Sequence, residues 1–135
     1  MLAKVCKAHR AYVGALLAEH GLHVGQEMVL LELWQEDGLR GGELAARLGV
    51  EPPTVTKMLR RLEACGLVQR SQDPADARSF RVHLTESGRA LEESIARCWA
   101  QTEETALAGM SAEERLTFRS LLIRVRSNLD PASGS

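Results

Sequence analysis

The hydrophobic period of this chain changes once in mid-sequence, and that change restricts the folds open to it. Val55, Met58, Leu59 and Leu62 recur at i, i+3, i+4 and i+7, the stripe of an amphipathic helix. From Ser79 to Leu84 the period becomes two, with Phe80, Val82 and Leu84 alternating against Arg81 and His83, as in a half-buried strand. Pro52 and Pro53 fit the first turn of the helix, where a missing N–H costs nothing. Glu51 suits the helix dipole there but is a poor N-cap. Gly66 can end the helix in a left-handed conformation. Leu67 to Ser71 forms a first strand, and the turn-rich run Gln72 to Arg78 joins it to the second. Ahead of the prolines, a short helix from Gly41 or Gly42 to Leu48 ends in a turn at Gly49. The order over Gly42–Gly88 is helix, turn, helix and two-stranded wing: a winged helix-turn-helix.

The second helix of this unit has a distinctive outer face. Opposite Val55, Leu59 and Leu62, the helical wheel places Pro53, Lys57 and Arg60, flanked by Thr54, Thr56 and Arg61. Hydroxyls and cations of this kind suit plain solvent, and equally suit base edges and phosphates. The wing tips the balance toward nucleic acid. Asp76 and Arg78 are spaced to brace its loop with Arg78 projecting from the tip. An arginine on such a finger can enter a minor groove beside the major groove that takes the helix.

The run GELAARLGVEPPTVTKMLRRLEACGLVQR followed by DPADARSFRVHLTESG resembles the winged helix-turn-helix of the MarR family of bacterial transcription regulators. Its most specific parts are Asp76-x-Arg78 in the wing and Leu84-Thr85-x-x-Gly88 after it, and the upstream GLHVGQEMVLLELW fits the family's second helix. The resemblance extends from about Tyr12 to Leu129. It implies a mainly α fold with a small β-wing, the winged unit at 24–84 lying between dimerisation helices at 1–20 and 86–129, all in one domain over 1–130.

The length, 135 residues, suits one domain, and 44% hydrophobic with 26% charged residues is a globular balance. The net charge of −1 is not that of a basic nucleic-acid binder. Local balance differs: from Glu51 to His83, six cations (Lys57, Arg60, Arg61, Arg70, Arg78, Arg81) stand against four acids (Glu51, Glu63, Asp73, Asp76), 6 − 4 = +2. Steering depends on that patch more than on the sum. Met1 to Leu17 has no continuous apolar core of the secretory kind, and no run approaches the ~20 apolar residues of a membrane span. Three cysteines make a disulfide framework implausible and suit a reducing cytoplasm. The tail 131–135 is expected to be disordered.

Leu2 to His20 is predicted as a first helix and Val24 to Glu36 as a second, strongly apolar through Val29, Leu30, Leu33 and Trp34. The family usually places Thr where this chain has His23 and Arg40, just before its second and third helices. Without those caps both helices are expected to lean on burial, since a Ser/Thr cap is worth ~1 kcal/mol. Thr85 caps a long helix from Glu86 to about Leu107, and Ser111-Ala112-Glu113-Glu114 is a capping box for a last helix to about Leu129. The terminal helices carry more apolar surface than a winged module can cover. They predict a two-fold homodimer whose recognition helices lie ~34 Å apart on an inverted-repeat operator.

Other chemistry finds little support. His9, His20, His23 and His83 are scattered, so no metal site is expected; nor is any cofactor, catalytic residue or enzyme activity, since no nucleophile–base pairing or phosphate loop can be argued. Cys6 and Cys65 are the candidates for a redox-sensing alternative, Cys65 because it ends the recognition helix, while Cys98 lies on an apolar face. The resemblance implies a small aromatic or phenolic effector held where the dimerisation helices meet the winged unit, with His9, Tyr12, Trp34 and Arg89 as candidate contacts. The expected function is a homodimeric repressor of transcription on double-stranded DNA. Pro53, Thr54, Thr56, Lys57 and Arg60 face the major groove, Arg61 lies near phosphate, and Arg78 enters the minor groove, oriented by Asp76. A winged helix that binds protein instead would need an apolar recognition face.

Overall fold

A computed structural model describes residues 1–130; the tail expected to be disordered at 131–135 lies outside the described residues. The chain forms two compact units, Met1–Thr102 and the segment from Glu103 onward. The first contains α1 (Leu2–Ala18), α2 (Gln26–Gln35), β1 (Leu39–Arg40), α3 (Gly41–Leu48), α4 (Pro52–Ala64), β2 (Val68–Asp73), β3 (Asp76–Leu84) and α5 (Glu86–Ala90). It also holds most of α6 (Glu92–Ala106).

The core of this unit is aliphatic. Leu17 of α1, Leu30 and Leu33 of α2, Leu44 of α3, Leu59 and Leu62 of α4 and Ile95 of α6 are all buried, joined by Val82 from the sheet. Helix α4 begins where the prolines require: Pro52 and Pro53 occupy its first two positions and Glu51 provides no side-chain cap. Gly66, at φ 73°, follows the helix in the left-handed region that glycine enters without strain. The sheet is antiparallel in the order β1-β3-β2.

Four expectations need correction. Both second-helix and third-helix caps are absent as Ser or Thr, but the helices do not rely on burial alone. The Gln26 and Glu27 side chains accept from the N–H groups of His23 (3.0 Å) and Gly25 (2.8 Å), and Glu43 accepts from the Arg40 N–H (3.2 Å). First-turn side chains thus hold the residues that lead into each helix, while the helices' own first N–H groups receive no bond from a Ser or Thr side chain. Second, a third strand, β1, joins the wing: Leu39 pairs with Val82 and Arg40 with Arg81. Third, the wing loop is shorter than its composition suggests. Pairing continues through Gln72↔Phe80 to Asp73↔Asp76, leaving Pro74-Ala75 as the turn. Arg78 therefore projects from β3 rather than from the tip. Fourth, the long helix expected from Glu86 is interrupted at Leu91, between α5 and α6.

Thr85 caps α5 as expected, its hydroxyl accepting from Gly88 N–H at 3.1 Å and donating to Gly66 O at 2.5 Å. Trp34 Nε1 donates to Gly88 O at 3.0 Å, so α2 and the start of α5 are pinned together. Gly88 is buried against backbone: a Cβ there would collide with the Leu67 carbonyl.

In the second unit, Ser111 and Glu114 form a complete capping box at the start of α7 (Ala112–Leu129). No residue of α7 is buried. Leu116, Leu121, Leu122, Ile123 and Leu129 are all exposed.

Gly88→Ala should lower stability by about 1–3 kcal/mol, because the obstacle is backbone that cannot move aside. Gly42→Ala, in a helix with nothing within 4 Å, should be neutral or stabilising. Urea unfolding of the two variants beside the parent checks this contrast.

Candidate nucleic-acid interface

The orientation of α4 follows from three side chains. Val55, Leu59 and Leu62 are fully buried, so the opposite face must be outward. Pro53, Thr54, Lys57, Arg60 and Arg61 are exposed there, with Thr56 half-buried. The Thr56 hydroxyl donates to Pro52 O at 3.1 Å, back along the helix. The other five side chains present two cations beside a hydroxyl and a proline ring, with a third cation at the edge.

In the wing, Asp76 accepts from the Arg78 N–H at 2.9 Å through Oδ1 and from the Ser79 hydroxyl at 3.2 Å through Oδ2. Asp76 thus shapes the backbone that carries Arg78 rather than pairing with its guanidinium. Arg78 is exposed and lines a shallow concavity of about 350 Å³ with Arg70, Gln72 and Phe80.

Ion pairing separates the cations of the winged unit into two groups. Residues 24–84 contain eight Lys and Arg. Four are committed to acids. Arg47 meets Glu36 at 2.5 Å and Glu32 at 3.6 Å, and Arg70 pairs with Glu63 and lies 5.3 Å from the centre of the Phe80 ring. Arg40 and Arg81 both face Asp73. The remaining four, Lys57, Arg60, Arg61 and Arg78, have side chains with no hydrogen bond or ion pair to any described residue. These four are the cations that the sequence pattern singles out for DNA. Arg70 and Arg81, which counted toward the local positive balance, face acids within the protein, Arg81 sharing Asp73 with Arg40.

Sequence reasoning did not find Asp73 or Arg40. Asp73 is a buried carboxylate in the wing, and its charge is stabilised chiefly by the Ala75 N–H at 3.0 Å, then by Arg40 and Arg81. These hold its carboxyl below the usual aspartate range against the opposing effect of burial. Arg40 and Asp73 are too far apart in sequence for spacing to reveal them.

The proposed effector contacts separate on inspection. Trp34 lines a pocket of about 160 Å³ with Leu31, Gln35, Glu92, Ile95, Ala96 and Trp99. His9 does not line it, but its ring lies 5.9 Å from that of Trp99. Tyr12 Oη accepts from Gln101 Nε2 at 3.3 Å, and Arg89 Nη2 donates to Asp37 Oδ2 at 2.7 Å; neither lines the pocket. Trp99, absent from the sequence candidates, has a buried indole N–H with no acceptor among the described residues.

Cys6 and Cys65 are exposed free thiols, while Cys98 is buried and its thiol is pushed up by that burial. Among the described residues, no group of three or more His, Cys, Asp or Glu is placed to hold a metal ion. Nor is any helix among them long and apolar enough to cross a membrane.

A buried α4 stripe, an outward hydroxyl-and-cation face and a flanking arginine-bearing hairpin define a winged helix-turn-helix of the kind found in transcriptional regulators. Residues 22–80 match the family model described as "MarR family". The chain is 39% identical over 126 residues to the HTH-type transcriptional regulator TtmR of Methylorubrum extorquens, covering 93% of this chain and 63% of that one, a little under two thirds of the relative's length. It is 30% identical over 128 residues to the HTH-type transcriptional repressor Rv2887 of Mycobacterium tuberculosis, covering 95% and 92%. The S. aureus MepR–DNA complex superposes with a TM-score of 0.82 at 27% identity, covering 96% of this chain and 95% of that chain. The chain belongs to the MarR family of helix-turn-helix transcriptional regulators.

Because the Asp73 carboxyl sits below its ordinary value in the folded chain, it adds stability above the unfolded value, ~3.9. That stability is lost as pH falls through the folded value. Asp73→Asn should therefore unfold more easily than the parent at pH 7, and the gap should close below about pH 4. Thermal unfolding across pH 7 to 2.5 measures this.

Proposed function

We propose that this chain is a homodimeric repressor that binds an inverted-repeat operator in double-stranded DNA. The observation that carries the reading is the division of cations: the side chains of Lys57, Arg60, Arg61 and Arg78 have no partner among the described residues, while those of the other four cations of the same module do. Free, exposed cations are what phosphate neutralisation requires. Thr54, Lys57 and Arg60 meet the major groove over Pro53, and Thr56 joins them on rotating away from Pro52 O. Arg61 meets phosphate, and Arg78 enters the minor groove from β3, on backbone shaped by Asp76. The TtmR, Rv2887 and MepR relatives support this reading through their names and, for MepR, its bound DNA. A protein-docking role is disfavoured because the α4 face is hydroxyl and cation rather than apolar.

Dimerisation is supported by α7, an 18-residue helix that buries none of its residues and exposes five large apolar ones. A second copy would cover them and would set the two α4 helices about one DNA turn apart.

The effector fits the pocket between α2 and α6. Its volume of about 160 Å³ is close to the ~150 Å³ cavity that admits a benzene ring. Trp34 and Trp99 supply aromatic lining. Glu92 on the lining disfavours a carboxylate, so a neutral single-ring phenol suits the site better than a benzoate.

Selection from a randomised duplex library at moderate salt tests the main reading. An inverted repeat with half-sites about one turn apart is expected. Retention of no sequence at low salt by ligand-free protein would contradict it. On the selected duplex, phenol should quench indole fluorescence and weaken binding, with benzoate less effective at equal concentration.

A further inference from the structure

The wing is only partly supported by the rest of the sheet. Strand β1 pairs with Arg81 and Val82 alone, so the outer hairpin from Gln72 to Phe80 has two strands. Two-stranded hairpins are marginal in water and free to bend. One side chain of this outer segment reaches back. The Asp73 side chain is 1% exposed, although its hairpin neighbours Gln72, Pro74, Ala75 and Asp76 all face solvent.

Three groups from three parts of the chain converge on Asp73. Arg40 Nε, at the junction of β1 and α3, lies 2.7 Å from Oδ2. Arg81 Nε, on β3, lies 3.7 Å from Oδ1, and its Nη1 donates to Gly38 O at 2.9 Å. The Ala75 N–H, in the turn itself, donates to Oδ1 at 3.0 Å. A register shift between Gln72 and Asp73 lets the carboxylate leave the regular ladder. The hairpin is thereby tied to the start of α3, the first helix of the helix-turn-helix, at a point beyond the reach of β1.

We propose that Asp73, gripped by Arg40 and Arg81, is a positioning residue for DNA binding: it sets the direction in which the outer wing carries Arg78, without itself touching DNA. The inference rests on the reading that Arg78 contacts the minor groove. Exposed ion pairs contribute little on their own, and Arg40 is 44% exposed. A carboxylate that is 1% exposed differs, because losing its charge removes the one counter-ion that Arg40 and Arg81 share.

A double-mutant cycle on the selected duplex, at fixed salt and pH 7, separates positioning from general support. Asp73→Asn and Arg40→Met should each weaken binding about tenfold in the parent background and less than about threefold when Arg78→Ala is already present. Arg40→Lys should recover part of the loss caused by Arg40→Met. Thermal unfolding confirms that each variant is folded at the assay temperature, and Arg40→Met serves if Asp73→Asn is not. Unchanged affinity in both Asp73→Asn and Arg40→Met, or equal losses with and without Arg78, would overturn the positioning role alone. Parent-like binding by Arg78→Ala would overturn the minor-groove reading and this inference with it.

Discussion

The burial of Val55, Leu59 and Leu62 is the constraint on which the rest depends. A helix with three fully buried residues on one stripe cannot rotate about its axis without exposing them, at roughly 1.5–3 kcal/mol for each side chain. The outward face of α4 is set by that lock. Thr54, Lys57, Arg60 and Arg61 need no specific interaction to face outward, because the apolar stripe leaves them nowhere else to go. The prolines at the helix start and Gly66 after its end fix its length in the same indirect way.

Electrostatics then divides the labour among the cations. The winged unit is not strongly basic, and four of its eight Lys and Arg are paired with acids. Arg47 braces α3 against α2, Arg70 holds the end of α4 to β2, and Arg40 with Arg81 secures the wing through Asp73. The four that remain lie on α4 and β3. A chain with net charge −1 can thus present a locally cationic surface, because the side chains of Lys57, Arg60, Arg61 and Arg78 have no acid paired with them among the described residues.

Much of this organisation was legible in the sequence. The α4 boundaries were visible because Pro52, Pro53 and Gly66 act through local backbone geometry. The wing was visible from its period of two, but its turn was overestimated: turn-forming residues permit a loop without preventing the ladder from reaching Asp73 and Asp76. Strand β1 was missed because two residues carry no period. The interruption at Leu91 was missed because neither Pro nor Gly marks it. Of the candidate residues, the outward placement of those on α4 was legible because one helix orders them, whereas His9, Tyr12, Trp34 and Arg89 lie on several elements and, of these four, Trp34 alone lines the pocket. The Arg40–Asp73 pair depends on tertiary approach, as does the contrast between free and paired arginines, and neither leaves a trace in spacing.

The most direct test of the account is the dependence of duplex affinity on salt. A phosphate contact contributes about 0.9 to the slope of log K against log salt. Replacing Arg61, an unpaired cation assigned to phosphate, with alanine should reduce that slope by about one contact. Replacing Arg47, equally charged but held by Glu36 and Glu32, should leave it unchanged. Equal reductions in both variants would mean that only total charge matters, and would contradict an interface built from selected free cations.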